Sequence, residues 1–358
     1  MIYIHVPFCK RFCIYCDFFS ELYSEEEAER FADRVCEEIS ARSNEIDDRV
    51  KTLYFGGGTA SVLPLTTLSR ILIALDKSGH GGPYTEFTIE ANPEDIVERG
   101  VNYVRSLCAL GMNRLSLGVQ SFDDNLLGWM NRRHNAARAV EAVRIAREAG
   151  VKNLSIDLIF GLSNLSDEVW EDTLDKAVAL GVEHISCYQL TVEGDCALAG
   201  MVRDGLYEEA SDDLCARQYD LLCRKLAEAG YHHYEISNFA LPGFEAIHNG
   251  GYWQRIPYAG FGPSAHSFSG KRRSWNSPVL NDYVRTEETL SDEDCAVETI
   301  MLALRRDIGI DAPTLEKLCS KEAIDKLIAE GALRKADGRY SIPEDHFFVS
   351  DQIIRELI

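Results

Sequence analysis

Apolar residues recur along this chain with two periods. Seven short runs rich in β-branched and aromatic residues read as strands: 2–6, 52–55, 86–90, 114–117, 154–159, 184–190 and 232–236. Between them the apolar spacing changes to three and four. A helix opens at Ser24, with Glu27 three residues on as in a capping box, and puts Ala28, Phe31, Val35 and Ile39 on one face. A second runs from Ala136 to Ala149 and stops at Gly150; a third carries Tyr219, Leu222 and Leu226 and stops at Gly230. Repeated strand–helix units predict a parallel sheet with helices outside. About six such units suggest a partial or complete β/α barrel, with a doubly wound open sheet as the rival.

The unusual residues sit where the strands end. Cys9, Cys13 and Cys16 follow the first strand and Gly56-Gly57-Gly58-Thr59 the second. Glu90-Ala91-Asn92-Pro93 closes the third and Gly118-Val119-Gln120-Ser121 the fourth; Asp157 and Tyr188 lie near the ends of the fifth and sixth. Each alone is weak, since a glycine run is usually a tight turn and a lone acid is usually solvated. Six in succession match the way β/α barrels build sites from the C-terminal ends of their strands.

After Gly230 the pattern changes. Residues 232–276 are rich in aromatics, glycine and histidine with little helical period, and read as a sheet-edge and loop region over the barrel mouth. Helical spacing returns near Ser291: Ile300 and Leu304 share a face, Pro313-Thr314 precedes Leu315, and Ile324, Leu327 and Ile328 form another stripe. Leu333 to Ile342, with Asp337-Gly338 at its centre, reads as a hairpin. The expected division is a core over 1–230, a covering segment over 231–285 and a small helical, winged-helix-like domain over 286–358.

Composition narrows the function. The chain has 358 residues, 46% of them hydrophobic, enough for a large core plus a small domain. A formal net charge of −21 argues against a nucleic-acid partner, and Lys271-Arg272-Arg273 is too short a basic patch to reverse that. No run of eighteen apolar residues is present, so no transmembrane segment is expected. Met1 to Val6 reads as a strand rather than a signal peptide, which leads one to expect a cytoplasmic protein with reduced thiols.

The triplet Cys9, Cys13 and Cys16 has the spacing C-x-x-x-C-x-x-C, and the next cysteine is Cys36. Three thiolates in one loop can hold three irons of a 4Fe–4S cluster, which leaves the fourth open to a non-protein ligand. A zinc site is the alternative, with His5 a poor candidate for its fourth ligand. Packing alone is a third. Eleven cysteines, an odd number and mostly scattered, do not suggest a disulfide framework.

Taken together, the triplet, the glycine run and the strand-end acids resemble the radical S-adenosylmethionine (SAM) family. More narrowly, Tyr3 to Cys9, Gly56 to Thr59, Glu90 to Pro93, Gly118 to Phe122 and Asp157 to Leu162 resemble the oxygen-independent coproporphyrinogen III oxidases, HemN. Two features point instead to the related HemW haem chaperones. Phe18 stands where HemN has a further cysteine, and His248-Asn249-Gly250-Gly251-Tyr252-Trp253 matches the H-N-x-x-Y-W motif of HemW. The N-terminal extension of HemN is not expected either. Ala60 and Ser163 depart from the family pattern, which has proline at both places.

The resemblance implies roles. Cys9, Cys13 and Cys16 ligate three irons, and the open iron takes the amino and carboxylate groups of SAM. Electron delivery from the cluster then yields a 5′-deoxyadenosyl radical. Gly57, Gly58 and Thr59 present backbone to the methionine end. Tyr3 lies under the cluster loop, Tyr15 covers the adenine side, and Glu90, Gln120, Arg132 and Asp157 complete the pocket. Arg132 is preferred to Arg133 because the family's Gly-Arg-x-His frame aligns with Asn131 to His134. His248 is the implied axial ligand of haem, flanked by Tyr252 and Trp253. His266, Arg272 and Arg273 are secondary candidates, the arginines for propionates. The implied function is binding haem and delivering it to haem-requiring proteins, possible membrane respiratory enzymes included. The alternative is radical decarboxylation of coproporphyrinogen III, and a purely structural cluster is a third possibility.

Overall fold

The computed structural model describes residues 1–194 and 196–358. Nine strands form one open sheet: β1 (Ile2–Val6), β2 (Thr52–Gly57), β3 (Glu86–Ala91), β4 (Arg114–Gln120), β5 (Leu154–Phe160), β6 (His184–Gln189), β7 (His232–Glu235), β8 (Asn238–Ala240) and β9 (Ala259–Phe261). Their spatial order is β9-β1-β2-β3-β4-β5-β6-β8-β7. From β9 to β6 every pairing is parallel; β8 turns antiparallel on β6, and β7 antiparallel on β8. The sheet is thus a partial barrel, its edge strands β9 and β7 unpaired with each other.

The predicted helices cover it. Ser24 Oγ caps helix Glu25–Arg42 by accepting from Glu27 N–H at 3.2 Å, and Ala28, Phe31, Val35 and Ile39 are buried against the sheet. Helix Asp212–Glu228 buries Tyr219, Leu222 and Leu226, and the chain leaves it through Gly230 at φ +84°, a left-handed turn that glycine adopts without a Cβ clash.

Residues after 230 do more than cover the mouth. They supply β7 and β8 at one edge and β9 at the other, so a division at 230 falls between strands of a single sheet. The expected loop region also contains a helix, Ile247–Trp253, and an antiparallel sheet of His266–Ser269, Arg272–Asn276 and Arg285–Thr289. Glu38, on the first helix, holds this cover down. Its carboxylate accepts from Gly262 N–H at 2.9 Å, Asn276 Nδ2 at 2.9 Å, Tyr283 OH at 2.7 Å and the Arg42 guanidinium.

The C-terminal segment has helices Asp292–Leu304, Ala312–Leu318 and Lys321–Ala329 beside a hairpin of Arg334–Ala336 and Arg339–Ser341. Asp337 and Gly338 both take positive φ, as the tight turn requires. Ile300, Leu304, Leu315, Ile324 and Leu327 are buried, whereas Ile328, expected on the same stripe, points outward. Among the described residues no helix is long and apolar enough to cross a membrane.

Candidate functional site

The C-terminal ends of the parallel strands enclose a cavity of about 650 Å³. Its walls follow from strand geometry. Side chains alternate across a strand, so positions two apart share a face. On β4 this brings Arg114, Ser116, Gly118 and Gln120 to one side; Tyr54, Glu90, Asp157, Ser186 and Tyr188 join them from neighbouring strands. Of the residues named from the sequence, Cys9, Cys13, Cys16, Tyr15, Gly57, Gly58, Thr59, Glu90, Gln120, Arg132 and Asp157 all line this cavity.

Distant parts of the fold position the cysteine loop. Tyr23 N–H donates to Cys9 O at 3.0 Å, Asn131 Nδ2 to Phe12 O at 2.7 Å, Ile14 N–H to Met130 O at 3.3 Å, and Leu198 N–H to Ile14 O at 2.8 Å. All three sulfurs have polar neighbours, the Phe18 backbone in the case of Cys16. Cys9 Sγ lies 3.5 Å from Thr59 Oγ1, and Arg132 Nη1 donates to Cys13 Sγ at 3.3 Å. Asn92 links the two by donating to Thr59 Oγ1 at 3.0 Å and accepting from Arg132 Nη2.

The donor set fits an iron–sulfur cluster better than a single ion. A tetrahedral zinc would draw its sulfurs to within about 3.8 Å of each other, given Zn–S bonds near 2.3 Å. Among the described residues only one group, elsewhere in the molecule, brings three such donor atoms within 4.8 Å of one another. The three sulfurs therefore span more than one ion's coordination shell. The cavity walls offer neither a fourth cysteine nor a histidine. Burial pushes the Cys9 thiol up, and the Cys16 thiol up to about 11. Without a cation these groups stay protonated, and a bound cluster is what makes them thiolates.

Opposite the cysteines, Glu90 accepts from Tyr54 OH at 2.6 Å and from Gly57 N–H at 3.2 Å. Burial pushes its carboxyl up to about 7; these hydrogen bonds and Arg114 oppose the rise, while Asp157 adds to it. Asp157 is raised as well, chiefly by burial. Gly57 stands at φ +106°, and a Cβ there would come within 2.7 Å of the His5 ring. Gly58 N–H donates to Val6 O at 2.8 Å. With both amides committed inside the fold, the two glycines offer a ligand close approach rather than N–H donors. Gln120, beside a β-bulge, has φ +69°, an unusual backbone for a side chain reaching into a cavity. Among the described residues Arg132 Nε has no partner, whereas Arg133 points away to Asp95 at 2.8 Å and to Glu98.

Two predicted residues are not brought to this cavity. Tyr3 donates to His5 Nδ1 at 3.1 Å, a direction set by His5 Nε2 engaging Phe19 O at 3.0 Å. Tyr3 lines a separate cavity of about 430 Å³, with Phe18, Tyr252, Tyr258, His266, Phe268 and Arg273 among its walls. His248 faces neither cavity. It is 1% exposed, with Nδ1 2.8 Å from Thr52 Oγ1 and Nε2 2.8 Å from Tyr252 OH, so neither nitrogen is free to ligate iron as folded. Two histidines line the second cavity: His5, whose ring nitrogens engage Tyr3 and Phe19, and His266, exposed at its edge. Tyr54, Arg114, Ser116 and Ser186 escaped the sequence reading. For Arg114 and Ser116 the signal was present in the alternation of Arg114, Ser116, Gly118 and Gln120 with apolar residues along one strand.

A profile of the radical SAM superfamily matches residues 3–177. The chain is 32% identical to the haem chaperone HemW of Lactococcus lactis, over 99% of this chain and 96% of that protein. It is 32% identical to the Mycobacterium tuberculosis protein of the same name, over 100% and 94%. The radical S-adenosyl methionine domain-containing protein 1, mitochondrial, of Danio rerio is also 32% identical, over 96% of this chain and 82% of that one. Among solved structures, Escherichia coli coproporphyrinogen III oxidase, HemN, superposes with a TM-score of 0.82 at 20% identity, covering 99% of this chain and 89% of that one. At that identity the likeness is one of fold.

Proposed function

This chain belongs to the HemW family of radical SAM proteins, and on that premise we propose that it binds haem and hands it to haem-requiring proteins in the cytoplasm or at a membrane surface. Cys9, Cys13 and Cys16 hold a 4Fe–4S cluster, and SAM occupies the rest of the strand-end cavity. When bound, these two supply one-electron reductive chemistry. Glu90 and Asp157 face the cationic end of SAM, and Arg132 its carboxylate.

The observation that carries the haem reading is the second cavity. It lies beside the first, and Phe18 lines both. Tyr3, Tyr252, Tyr258 and Phe268 give it aromatic walls suited to a flat macrocycle. Arg255 and Arg273 both pair with Glu298, and Arg273 also reaches Glu288 at the longer distance of 3.8 Å, a loose contact that a propionate would replace. In this reading His266 is the axial ligand, and His248 acts through Tyr252, whose hydroxyl it holds.

Haem titration of the cluster-loaded protein tests the reading. His266→Ala is expected to weaken haem binding at least tenfold and change the Soret band, and His248→Ala to weaken it with the Soret band kept. Loss of the haem spectrum in His248→Ala alone would move the ligand to His248. A parallel incubation with coproporphyrinogen III, SAM and a reductant is expected to give no protoporphyrinogen; its formation would establish the oxidase in place of the chaperone.

A further inference from the structure

On the far side of β6 from the cluster, three chemically different donors converge at the junction with the C-terminal segment. Cys223 comes from helix Asp212–Glu228, His233 from β7, and Glu344 from the 3-10 turn Glu344–Val349. Cys223 Sγ lies 3.8 Å from His233 Nδ1, which lies 3.0 Å from Glu344 Oε1, and all three donor atoms fall within 4.8 Å of one another. We propose that Cys223, His233 and Glu344 bind a zinc ion that fastens the C-terminal segment to the edge of the barrel sheet.

The other face of the imidazole explains why a cation belongs there. His233 Nε2 is 3.4 Å from Ile236 O and 3.3 Å from Tyr219 OH, and that hydroxyl already donates to Ile236 O at 2.9 Å. Both neighbours of Nε2 are therefore acceptors, and the ring proton sits on Nε2. This backbone-oriented tautomer is the usual one for a metal-binding histidine. Nδ1 then turns a lone pair toward a sulfur and a carboxylate. The Cys223 thiol proton can face that lone pair, but Nδ1 and the Glu344 carboxylate are then two acceptors 3.0 Å apart, a crowding that a cation between the three groups would relieve. The ring cannot easily swing away, because it stacks on Phe239 at 4.1 Å and meets the edge of Phe347 at 5.0 Å.

Distances and ligand types select the ion. Zinc–ligand bonds of about 2.0–2.3 Å at tetrahedral angles put ligand atoms roughly 3.4–3.6 Å apart, between the two spacings observed. A mixed sulfur, nitrogen and oxygen set suits zinc, whereas calcium and magnesium take oxygen. Burial holds the unliganded Cys223 thiol up at about 12, so zinc binding would release a proton there. His233 is buried and Glu344 exposed, which leaves a fourth position open to water.

Protein carrying its 4Fe–4S cluster, with the N-terminal cysteines thereby occupied, is titrated with zinc and its content measured by elemental analysis. The expected result is one zinc per chain, absent in Cys223→Ser and weakened at least about tenfold in Glu344→Gln. Glu344 is exposed, so that variant folds whether or not the buried change disturbs the helix. Cobalt added to a Cys9, Cys13, Cys16→Ser triple variant should give a thiolate charge-transfer band that vanishes on adding Cys223→Ser. No saturable zinc binding, or equal zinc in the parent and both single variants, overturns the proposal and leaves a His233–Glu344 hydrogen bond. Haem and SAM binding rest on other residues and are read separately.

Discussion

Glu90 has the most consequential ionisation in the strand-end cavity. Tyr54, Arg114 and Asp157 surround it, and burial places its titration near pH 7. A cationic ammonium needs the carboxylate form, so SAM affinity should rise as pH rises through about 7. Glu90→Gln should flatten that profile and lower affinity at pH 8, as equilibrium binding would reveal. The native carboxyl holds its proton at higher pH than the unfolded one. Folding stability of the unliganded protein should therefore fall as pH rises from about 4.5 to about 7. Glu90→Gln should remove this component of the fall in denaturant titrations. Backbone conformation makes a second residue-level prediction. Gln120→Gly relieves a positive φ and should raise unliganded stability by roughly 0.5–1 kcal/mol while weakening SAM binding. Gly57→Ala should do the opposite to stability, costing roughly 2–3 kcal/mol, because the new methyl meets the His5 ring.

Among the elements, the cover over residues 259–289 is held largely by one acid on the first helix. Glu38 is 8% exposed and takes four donors, three of them from that cover. Removing it leaves three buried donors of the cover without their acceptor and takes from Arg42 one of its two carboxylates, the other being Glu45, so Glu38→Ala should cost about 3–5 kcal/mol. Hydrogen exchange should show the loss first in Arg272–Asn276, and haem binding should weaken with it because Arg273 lines the second cavity. Unchanged exchange in that strand would mean that the cover docks by apolar contact alone. The secondary structure beneath was largely legible, since strands and helices announce themselves by period. The helix Ile247–Trp253 was not, because its glycine pair and aromatic residues carry no helical stripe.

For the whole molecule, the two cavities share a wall at Phe18, which gives the cluster and the haem cavity a common boundary. Haem at a hundredfold excess over its Kd should add about 2.7 kcal/mol to stability. Protection from exchange should concentrate in His266–Ser269 and Arg272–Asn276, while the Arg334–Ala336 hairpin strand stays as it was. Protection confined to the C-terminal segment would place haem elsewhere.

Alternating strand and helix periods determined the parallel sheet, and the C-x-x-x-C-x-x-C spacing determined the candidate cluster ligands, because both are local properties of a chain. The strand-end rule brought nine of the eleven named residues to one cavity without knowledge of any contact between them, and the family resemblance added Tyr15 and Arg132. Only the tertiary structure decided the fates of Tyr3, His248 and His266. Whether a histidine nitrogen is free depends on partners far along the chain, such as Thr52, 196 residues from His248. The meeting of Cys223, His233 and Glu344 is of the same kind. It is made by a helix, a strand and a distant turn docking together, and no periodicity in the sequence encodes that.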